Sequence, residues 1–274
     1  MMIDNKQKEK IFSLIKECGS VMLSAHDLES DSLCISEKYG TANFVTAFDV
    51  KVQEMLISGL CEIVPDAHFL AEEKDNSSID VTNGFCFIID PIDGTANFIH
   101  DLQASAVSIG FFYNGEPVFS VIYDPYRREM FYAAKGEGAY CNGKHIHVSE
   151  RTLDKAMTVF GTSPYDRDTL GEISFALAKN LYMKTADLRR TGAAAIDICN
   201  VACGRMDIFF EVILSPWDFA GGWLIITEAG GKLTDFSGNT PDFSKPSSVL
   251  CTNGSLHKEA LEIIKTTEEE LYGR

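Results

Sequence analysis

The sequence predicts a layered α/β (α+β) fold, in which central antiparallel strands are covered by helices. Two observations support this prediction. Residues 104–148 have a strand-like pattern throughout, with strong hairpin turns at Asn114-Gly115 and Asn142-Gly143. After about Ser149 the pattern changes to strands that alternate with helices.

The first part of the chain supplies two helices and two buried strands. Asp4 is placed to cap a first helix, along which apolar residues recur at helical spacing as far as Met22. A loop or loose hairpin over 26–43 leads to a second helix, which starts near Asp49 and is closed by Pro65. The strands predicted before Ser149 are 68–70, 85–89, 107–113, 118–123 and 129–133.

The second part alternates strands with helices, and Gly230-Gly231 supplies a left-handed helix end. We expect one domain over residues 1–274, formed by an antiparallel half (1–150) and an α/β half (151–274). The predicted strands are 157–160, 206–212 and 248–251, and the predicted helices are 170–181, 193–202, 217–229 and one from Lys258.

The chain is strongly acidic, with a net charge of −16 over 274 residues. Lys and Arg supply most of the non-specific affinity for phosphate chains, so we expect no nucleic-acid partner and no membrane partner. A small phosphorylated substrate stays possible, because clustered carboxylates hold divalent cations that invert the local field.

Eight cysteines are scattered along the chain, without a C-x-x-C pair or a zinc-like Cys/His spacing. Reduced core thiols are the favoured interpretation, and they predict a cytoplasmic protein. The charged segment from Met1 to Lys10 is not followed by an apolar region, which argues against a signal peptide. No stretch approaches the roughly 18 apolar residues of a membrane span.

The segment Asp90-Pro91-Ile92-Asp93-Gly94-Thr95 follows the buried strand 85–89. Pro91 has no N–H, so it is predicted to end the strand and to turn the chain there. Ligand sites of α/β sheets concentrate at this carboxyl end of the strands.

The residue types of this hexapeptide favour a metal and phosphate site. Asp90 and Asp93 can converge on cations, and the carbonyl of Ile92 can add a hard oxygen ligand. Gly94 permits close approach of a ligand to the backbone. A helix that begins near Thr95 would offer its first N–H groups to a phosphate.

Four motifs resemble those of the inositol monophosphatase family. The family's D-P-[IVL]-D-G-T-x-N-F stands here as Asp90 to Phe98, and its W-D-x-A-[AG]-G as Trp217 to Gly222. Its Glu-Glu pair is matched by Glu72-Glu73, and its V-T-x-x-D by Val45 to Asp49. The motifs follow the family's order, and the resemblance covers most of the chain.

The resemblance implies an αβαβα sandwich of the sugar-phosphatase type that acts as a homodimer. It implies lithium-sensitive hydrolysis of a phosphate monoester with two to three Mg²⁺ ions. Thr95 with Asp49 would orient and deprotonate the attacking water, and Glu72 would assist through a weaker third ion. The implied metal ligands are Glu72, Asp90, the Ile92 carbonyl, Asp93 and Asp218. The implied substrate contacts are Asp93, Gly94, Thr95, Ala194, Glu211 and Asp218.

Taken singly, most of these residues have an ordinary structural explanation. Asp49 and Asp218 would each suit a helix N-terminus, and Glu72 would suit a solvated surface. Lys38, which matches a loop lysine of the family, would also suit the surface. Arg189-Arg190 is equally interpretable as a surface pair or as a contact with substrate or a second subunit. The joint pattern is what favours the functional interpretation for Glu72, Asp49 and Asp218.

Two other classes of function compete with this interpretation. Haloacid dehalogenase-type phosphatases use D-x-D-G-T with a covalent Asp, but Pro91 stands where the nucleophile would be required. A non-catalytic acidic interaction protein is disfavoured because Thr95, Asp49 and the ligand set are intact. Myo-inositol monophosphate is the leading substrate, and fructose 1,6-bisphosphate, histidinol phosphate and other sugar phosphates stay open.

Overall fold

The computed structural model describes residues 3–25, 35–37 and 44–273. Within these ranges, layers of helices alternate with two mixed sheets, which confirms the αβαβα sandwich. A short antiparallel pair, β1 (Ser36–Glu37) and β2 (Phe44–Val45), precedes the first large sheet. Lys38 lies outside the described residues, so its expected place near the site stays a prediction.

The first large sheet contains the antiparallel meander that the sequence predicts. Its order within the described residues is β3-β4-β5-β6-β7-β8-β9, and only β3 and β4 pair in parallel there. Both residues of Asn114-Gly115 and of Asn142-Gly143 have positive φ, as type I′ hairpin turns require. The strands are β3 (His68–Ala71), β4 (Phe85–Asp93), β5 (Ala106–Tyr113), β6 (Glu116–Asp124), β7 (Glu129–Ala134), β8 (Gly138–Cys141) and β9 (Lys144–His145).

The second large sheet has the order β11-β10-β12-β14-β13 within the described residues. Its edge strands β11 and β13 were not predicted, because three residues are too few to show a periodic pattern. The strands are β10 (Met157–Phe160), β11 (Asp187–Arg189), β12 (Ile208–Leu214), β13 (Lys232–Thr234) and β14 (Ser247–Thr252).

Helices form the outer and middle layers of the sandwich. The first two helices pack on one sheet, the fourth and seventh on the other, and the fifth and sixth lie between the sheets. No helix among the described residues is both long enough and apolar enough to cross a membrane. The helices are α1 (Asn5–Ser24), α2 (Ala47–Ile63), α3 (Thr95–Ile99), α4 (Arg167–Tyr182), α5 (Ala194–Ala202), α6 (Pro216–Glu228) and α7 (His257–Tyr272).

The N-terminal caps of α1 and α2 follow from local side-chain hydrogen bonds. The Asp4 carboxylate accepts from the N–H of Gln7 at 2.8 Å, as the sequence predicts. Thr46 caps α2, since its Oγ1 accepts from the N–H of Asp49 at 3.3 Å. The Asp49 carboxylate in turn accepts from the N–H of Thr46 at 2.7 Å, which completes a capping box.

Pro91 does not end β4, and that prediction was wrong. The strand continues to Asp93, with Asp90 opposite Ser108 and Asp93 opposite Ala106. Three steps along β4 therefore match two steps along β5, which is the mark of a β-bulge. A bulge tolerates a residue that cannot donate to the ladder, so the sheet accommodates Pro91 without stopping.

Two glycines bring α6 into close contact with its neighbours. A Cβ at Gly221 would clash with the Oγ of Ser108 on β5, and one at Gly222 would lie 2.7 Å from Ile198 on α5. The small residues of the Trp217–Gly222 motif thus allow α6 to pack directly on a strand and a helix. Because Asp218 stands in the first turn of α6, this packing also determines where its carboxylate lies.

The contact between Gly221 and Ser108 predicts a specific double-mutant effect. Gly221→Ala should destabilise the fold by roughly 1–3 kcal/mol, because the added methyl group meets Ser108 Oγ. That oxygen is buried without a hydrogen-bond partner among the described residues, and the next neighbour of the methyl group is 3.4 Å away. Ser108→Ala should therefore be nearly neutral alone and should rescue Gly221→Ala, as measured by urea unfolding. If the effects of the two substitutions on the free energy of unfolding were simply additive, this packing would be contradicted.

Candidate active site

The predicted metal and substrate residues line one cavity at the bulged end of β4, where α3, α5 and α6 begin. Asp49, which was predicted to be catalytic, does not line this cavity and is buried behind Thr95. The predicted residues in the wall are Glu72, Asp90, Ile92, Asp93, Gly94, Thr95, Ala194, Glu211 and Asp218.

Asp90, Asp93 and Asp218 form the acidic centre of the cavity. One carboxylate oxygen from each lies within 4.8 Å of the other two. The first two come from the bulge of β4, and the third comes from the start of α6. Three hard oxygen donors at this spacing suit a divalent cation such as Mg²⁺.

Backbone N–H groups orient each of these carboxylates. Asp90 accepts from the N–H of Ile92 at 3.0 Å, and Asp218 accepts from the N–H of Ser215 at 2.7 Å. Asp93 accepts from Ala194 at 3.1 Å through one oxygen and from Ala195 at 2.9 Å through the other. These last two N–H groups belong to the first turn of α5, where the helix dipole favours a negative charge.

Burial and mutual repulsion raise the pKa values of the three carboxyl groups. Burial is the main cause that raises the pKa of Asp93 to about 7. The hydrogen bonds from the N–H groups of α5 lower this pKa, and repulsion from Glu72 and Glu211 raises it further. The pKa values of Asp90 and Asp218 lie well above the usual range, first through burial and then through repulsion from Glu72 and Asp93. Without a cation, the folded chain therefore holds protons at this centre.

Glu72 follows β3 and lines the same cavity, but its carboxylate is not part of the tight group of three. The backbone around it is held in place, because the N–H of Glu73 donates to Gln53 Oε1 at 2.9 Å. Glu72 is therefore placed to complete a ligand shell from the side of the cavity.

Thr95 connects the acidic centre to Asp49. Thr95 Oγ1 lies 3.2 Å from Asp49 Oδ1 and 3.2 Å from the carbonyl oxygen of Ile92. The second oxygen of Asp49 accepts from Thr46 Oγ1 at 2.5 Å and from its N–H at 2.7 Å. The Asp49 carboxylate is thus fixed with one oxygen directed at the Thr95 hydroxyl, the geometry of a proton acceptor.

Glu211 lies in the wall of the cavity, on β12, and is almost completely buried. Its Oε1 accepts from the N–H and the hydroxyl of Ser163 at 3.0 and 3.2 Å. Gly161 makes room for it, because a Cβ there would overlap the carboxylate. Burial raises the pKa of Glu211 to about 6, and the two Ser163 hydrogen bonds act in the opposite direction.

Three polar residues in or next to the cavity wall were not assigned by the sequence analysis: Asp197 lines the cavity, and Asn97 and Ser163 hydrogen-bond to its neighbours. Asp197 on α5 is buried, and both of its oxygens lie within 2.6 Å of Thr191 Oγ1. Asn97 Nδ2 donates to the carbonyls of Ala104 and Thr191 at 2.8 and 2.9 Å, which ties α3 to the segment before α5. The sequence could have pointed to Asp197 as a site residue, because it is the only charged residue in the apolar stretch 193–202. Ser163 had no comparable signal.

The structure separates the roles of the two neighbouring arginines. Arg189 is paired with Asp187 on its own strand, at 2.5 Å. Arg190 lines the cavity, with its Nη2 3.3 Å from Thr162 Oγ1. It is the only basic side chain among the described residues of the cavity wall, which otherwise carries six carboxylates.

Comparison with known proteins gives a consistent result. The model of the inositol monophosphatase family matches residues 5–271. The inositol-1-monophosphatase of Synechocystis sp. is 37% identical, with 86% of this chain and 81% of the relative covered. The fructose-1,6-bisphosphatase/inositol-1-monophosphatase of Thermotoga maritima is 34% identical, with 88% and 90% covered. The crystal structure of the extragenic suppressor protein suhB from Bartonella henselae has a TM-score of 0.85 at 31% identity, over 94% and 98% of the two chains.

The raised carboxyl pKa values predict that Mg²⁺ stabilises the protein more at pH 8 than at pH 6. The Asp93 carboxyl titrates near 7 in the folded chain but near 3.8 in an unfolded one. Its contribution to stability is therefore complete below about pH 4 and is lost as the pH rises through 7. Mg²⁺ needs ionised ligands, so it should offset that loss, as measured by the melting temperature with and without the ion.

Two variants provide controls for this measurement. Asp93→Asn, which removes an ionisable ligand, should abolish the response to Mg²⁺. Glu54→Gln, which removes an exposed carboxylate of α2, should behave like the wild type. Equal Mg²⁺ responses of the wild type at both pH values would contradict the electrostatic interpretation.

Proposed function

The chain belongs to the inositol monophosphatase family and is a phosphoric monoester hydrolase, and on this basis we propose that it hydrolyses myo-inositol monophosphate to myo-inositol and phosphate. We propose that the reaction requires Mg²⁺, uses water as the nucleophile and is inhibited by Li⁺. The observation that carries the proposal is the acidic centre of Asp90, Asp93 and Asp218 next to the hydrogen-bonded pair Thr95 and Asp49.

The proposed metal ligands fit Mg²⁺ by their chemistry. They are oxygen donors, and the buried carboxylates among them repel one another without a cation. When bound, two to three Mg²⁺ ions would offset the charge of the phosphate, lower the pKa of a water molecule and stabilise the leaving alkoxide. The proposed ligands are the carboxylates of Glu72, Asp90, Asp93 and Asp218 and the carbonyl of Ile92.

Thr95 and Asp49 are the proposed proton acceptors for the attacking water. A threonine hydroxyl alone is a poor base, but its hydrogen bond to Asp49 lets it pass on a proton as it receives one. Thr46 holds Asp49 in the orientation that this transfer needs. The backbone N–H groups of Gly94 and Thr95, at the start of α3, would hold the phosphate.

Glu211 is the proposed acceptor for a hydroxyl group of the leaving alcohol. Ser163 fixes one oxygen of the carboxylate, and Glu211 lines the same cavity as Ala194. A buried acceptor that loses its partner is costly, so an alcohol without the matching hydroxyl would be disfavoured. Asp93 and Asp218 would contact the substrate from the metal side.

Fructose 1,6-bisphosphate is the second candidate substrate, and Arg190 is the observation that favours it. A guanidinium in a wall of carboxylates can bind a second anionic group of the substrate. The Thermotoga maritima relative carries both activities in its name. A covalent aspartyl mechanism is not proposed, because Pro91 occupies the position of the nucleophile in that class.

We propose a homodimer as the functional assembly. Phe175 and Tyr182 lie seven residues apart and share one side of α4, and Met183 directly follows the helix. All three are more than half exposed, an unusual exposure for large apolar side chains on one surface. The cytoplasmic location indicated by the cysteine pattern stays a prediction.

A phosphate-release assay over a substrate panel tests the proposed reaction. Myo-inositol monophosphate should be hydrolysed with Mg²⁺, and Li⁺ should inhibit. Asp90→Asn should lower kcat/KM at least about a hundredfold, because several kcal/mol of charge stabilisation depends on this ligand. Asp124→Asn is the matched control, since Asp124 is also a buried strand residue before a proline but lies outside the cavity. Unchanged turnover in Asp90→Asn would refute the assignment of the site.

The two arginines provide a test of substrate choice. Arg190→Ala should lower kcat/KM for fructose 1,6-bisphosphate about tenfold or more, as expected for a lost charged hydrogen bond, and should affect myo-inositol monophosphate much less. Arg189→Ala should change neither, because that side chain is engaged by Asp187. An equal loss for both substrates in Arg190→Ala would show that Arg190 does not recognise a second anionic group.

A further inference from the structure

A pair of histidines lies at the edge of the first large sheet, outside the candidate active site. His145 ends β9, and His147 follows two residues later, with both side chains exposed. The chain stays paired beyond the strand, because the N–H of Ile146 donates to the carbonyl of Ala139 at 2.9 Å. Residues i and i+2 of an extended chain point to the same face, so the two imidazoles meet.

The imidazoles present two nitrogens to one another at close range. His145 Nδ1 and His147 Nε2 are 2.7 Å apart, and the rings are inclined at 68°. This distance is that of a hydrogen bond between the two rings, in which either nitrogen can be the donor. A cation bound by two imidazoles, with metal–nitrogen bonds of about 2.0–2.1 Å at roughly tetrahedral angles, would separate the nitrogens by about 3.3 Å. The two nitrogens need to move apart by only about 0.6 Å to accept one.

The surrounding residues hold the ring of His145 in this orientation. Tyr140 on β8 packs against it edge-on, with ring centroids 5.0 Å apart. The second ring nitrogen of His145, Nε2, lies over Gly138, where a Cβ would clash with this nitrogen. Gly138 also has φ +84°, a conformation that side chains rarely adopt, so this close approach depends on glycine.

A fixed negative charge lies at the same turn. The carboxylate of Glu228, the last residue of α6, accepts from the N–H groups of Gly136 and Gly138 at 2.8 and 2.9 Å. Histidines that bind a metal through one nitrogen are commonly oriented and polarised by a carboxylate on the other side. Glu228 places such a charge on the N–H of Gly138, the residue over which His145 Nε2 lies.

We propose that His145 and His147 form a second metal site, which takes a borderline transition-metal cation such as Ni²⁺ or Zn²⁺ through two imidazole nitrogens. Imidazole suits these cations, whereas Mg²⁺ selects oxygen ligands, so the site is chemically distinct from the acidic centre. Water molecules complete the coordination shell. The proposal is independent of the hydrolytic reaction, because neither histidine lines the active-site cavity.

Titration of the full-length protein with Ni²⁺ in saturating Mg²⁺ tests this site by calorimetry. Mg²⁺ occupies the acidic centre, so the expected result is one Ni²⁺ bound per chain. His145→Gln and His147→Gln should each weaken Ni²⁺ binding at least about tenfold, in the range seen when support for a metal site is lost. The ring nitrogens of both histidines should shift in ¹⁵N spectra on addition of Zn²⁺.

His68→Gln is the matched control, because His68 is an exposed histidine on another strand of the same sheet. Its Ni²⁺ affinity should equal that of the wild type, and circular dichroism should show that every variant keeps the wild-type melting temperature within a few degrees. Undiminished Ni²⁺ affinity in His147→Gln, or an equal loss in His68→Gln, would overturn the proposal. If the wild type showed no phosphatase activity, the proposed reaction would be contradicted, but the proposed histidine site would not.

Discussion

Electrostatic repulsion among Asp90, Asp93 and Asp218 is the constraint on which the organisation of this protein depends. Three carboxylates within 4.8 Å, two of them buried and that of Asp218 half-buried, oppose folding unless protons or cations neutralise their charge. The fold holds them together through backbone N–H groups of three separate segments. The site is therefore preorganised for a cation at the expense of the stability of the metal-free chain.

The layers of the sandwich meet at this centre, and their close packing sets its geometry. The bulge of β4 brings two carboxylates to one turn, and the glycines of α6 bring the third against β5. Thr95 then joins the centre to Asp49 at the start of α2, on the other side of the sheet. A helix cap, a bulge and a helix contact, each ordinary by itself, combine to place the hydrogen-bonded pair of Thr95 and Asp49 beside the acidic centre.

Most elements of the fold were predictable from local patterns, and the exceptions have physical causes. The meander and its two Asn-Gly turns were predictable because turn chemistry and strand periodicity agree there. Pro91 was expected to stop β4 because proline has no N–H to donate to the ladder. A β-bulge leaves that donor unnecessary, and the sequence pattern does not reveal the bulge. The short strands β11 and β13 exist through pairing with neighbours that are distant in the chain.

The sequence by itself determined the family resemblance, the layered fold class and which carboxylates belong to the candidate site. Motifs can be recognised from residue types and their spacing alone. Tertiary structure alone decided that Arg190 rather than Arg189 enters the cavity and that Ser163 holds Glu211. These relations depend on distances between segments that lie far apart in the chain or on side-chain orientation. Neither quantity is encoded in a periodic pattern, since both are set only when the layers pack.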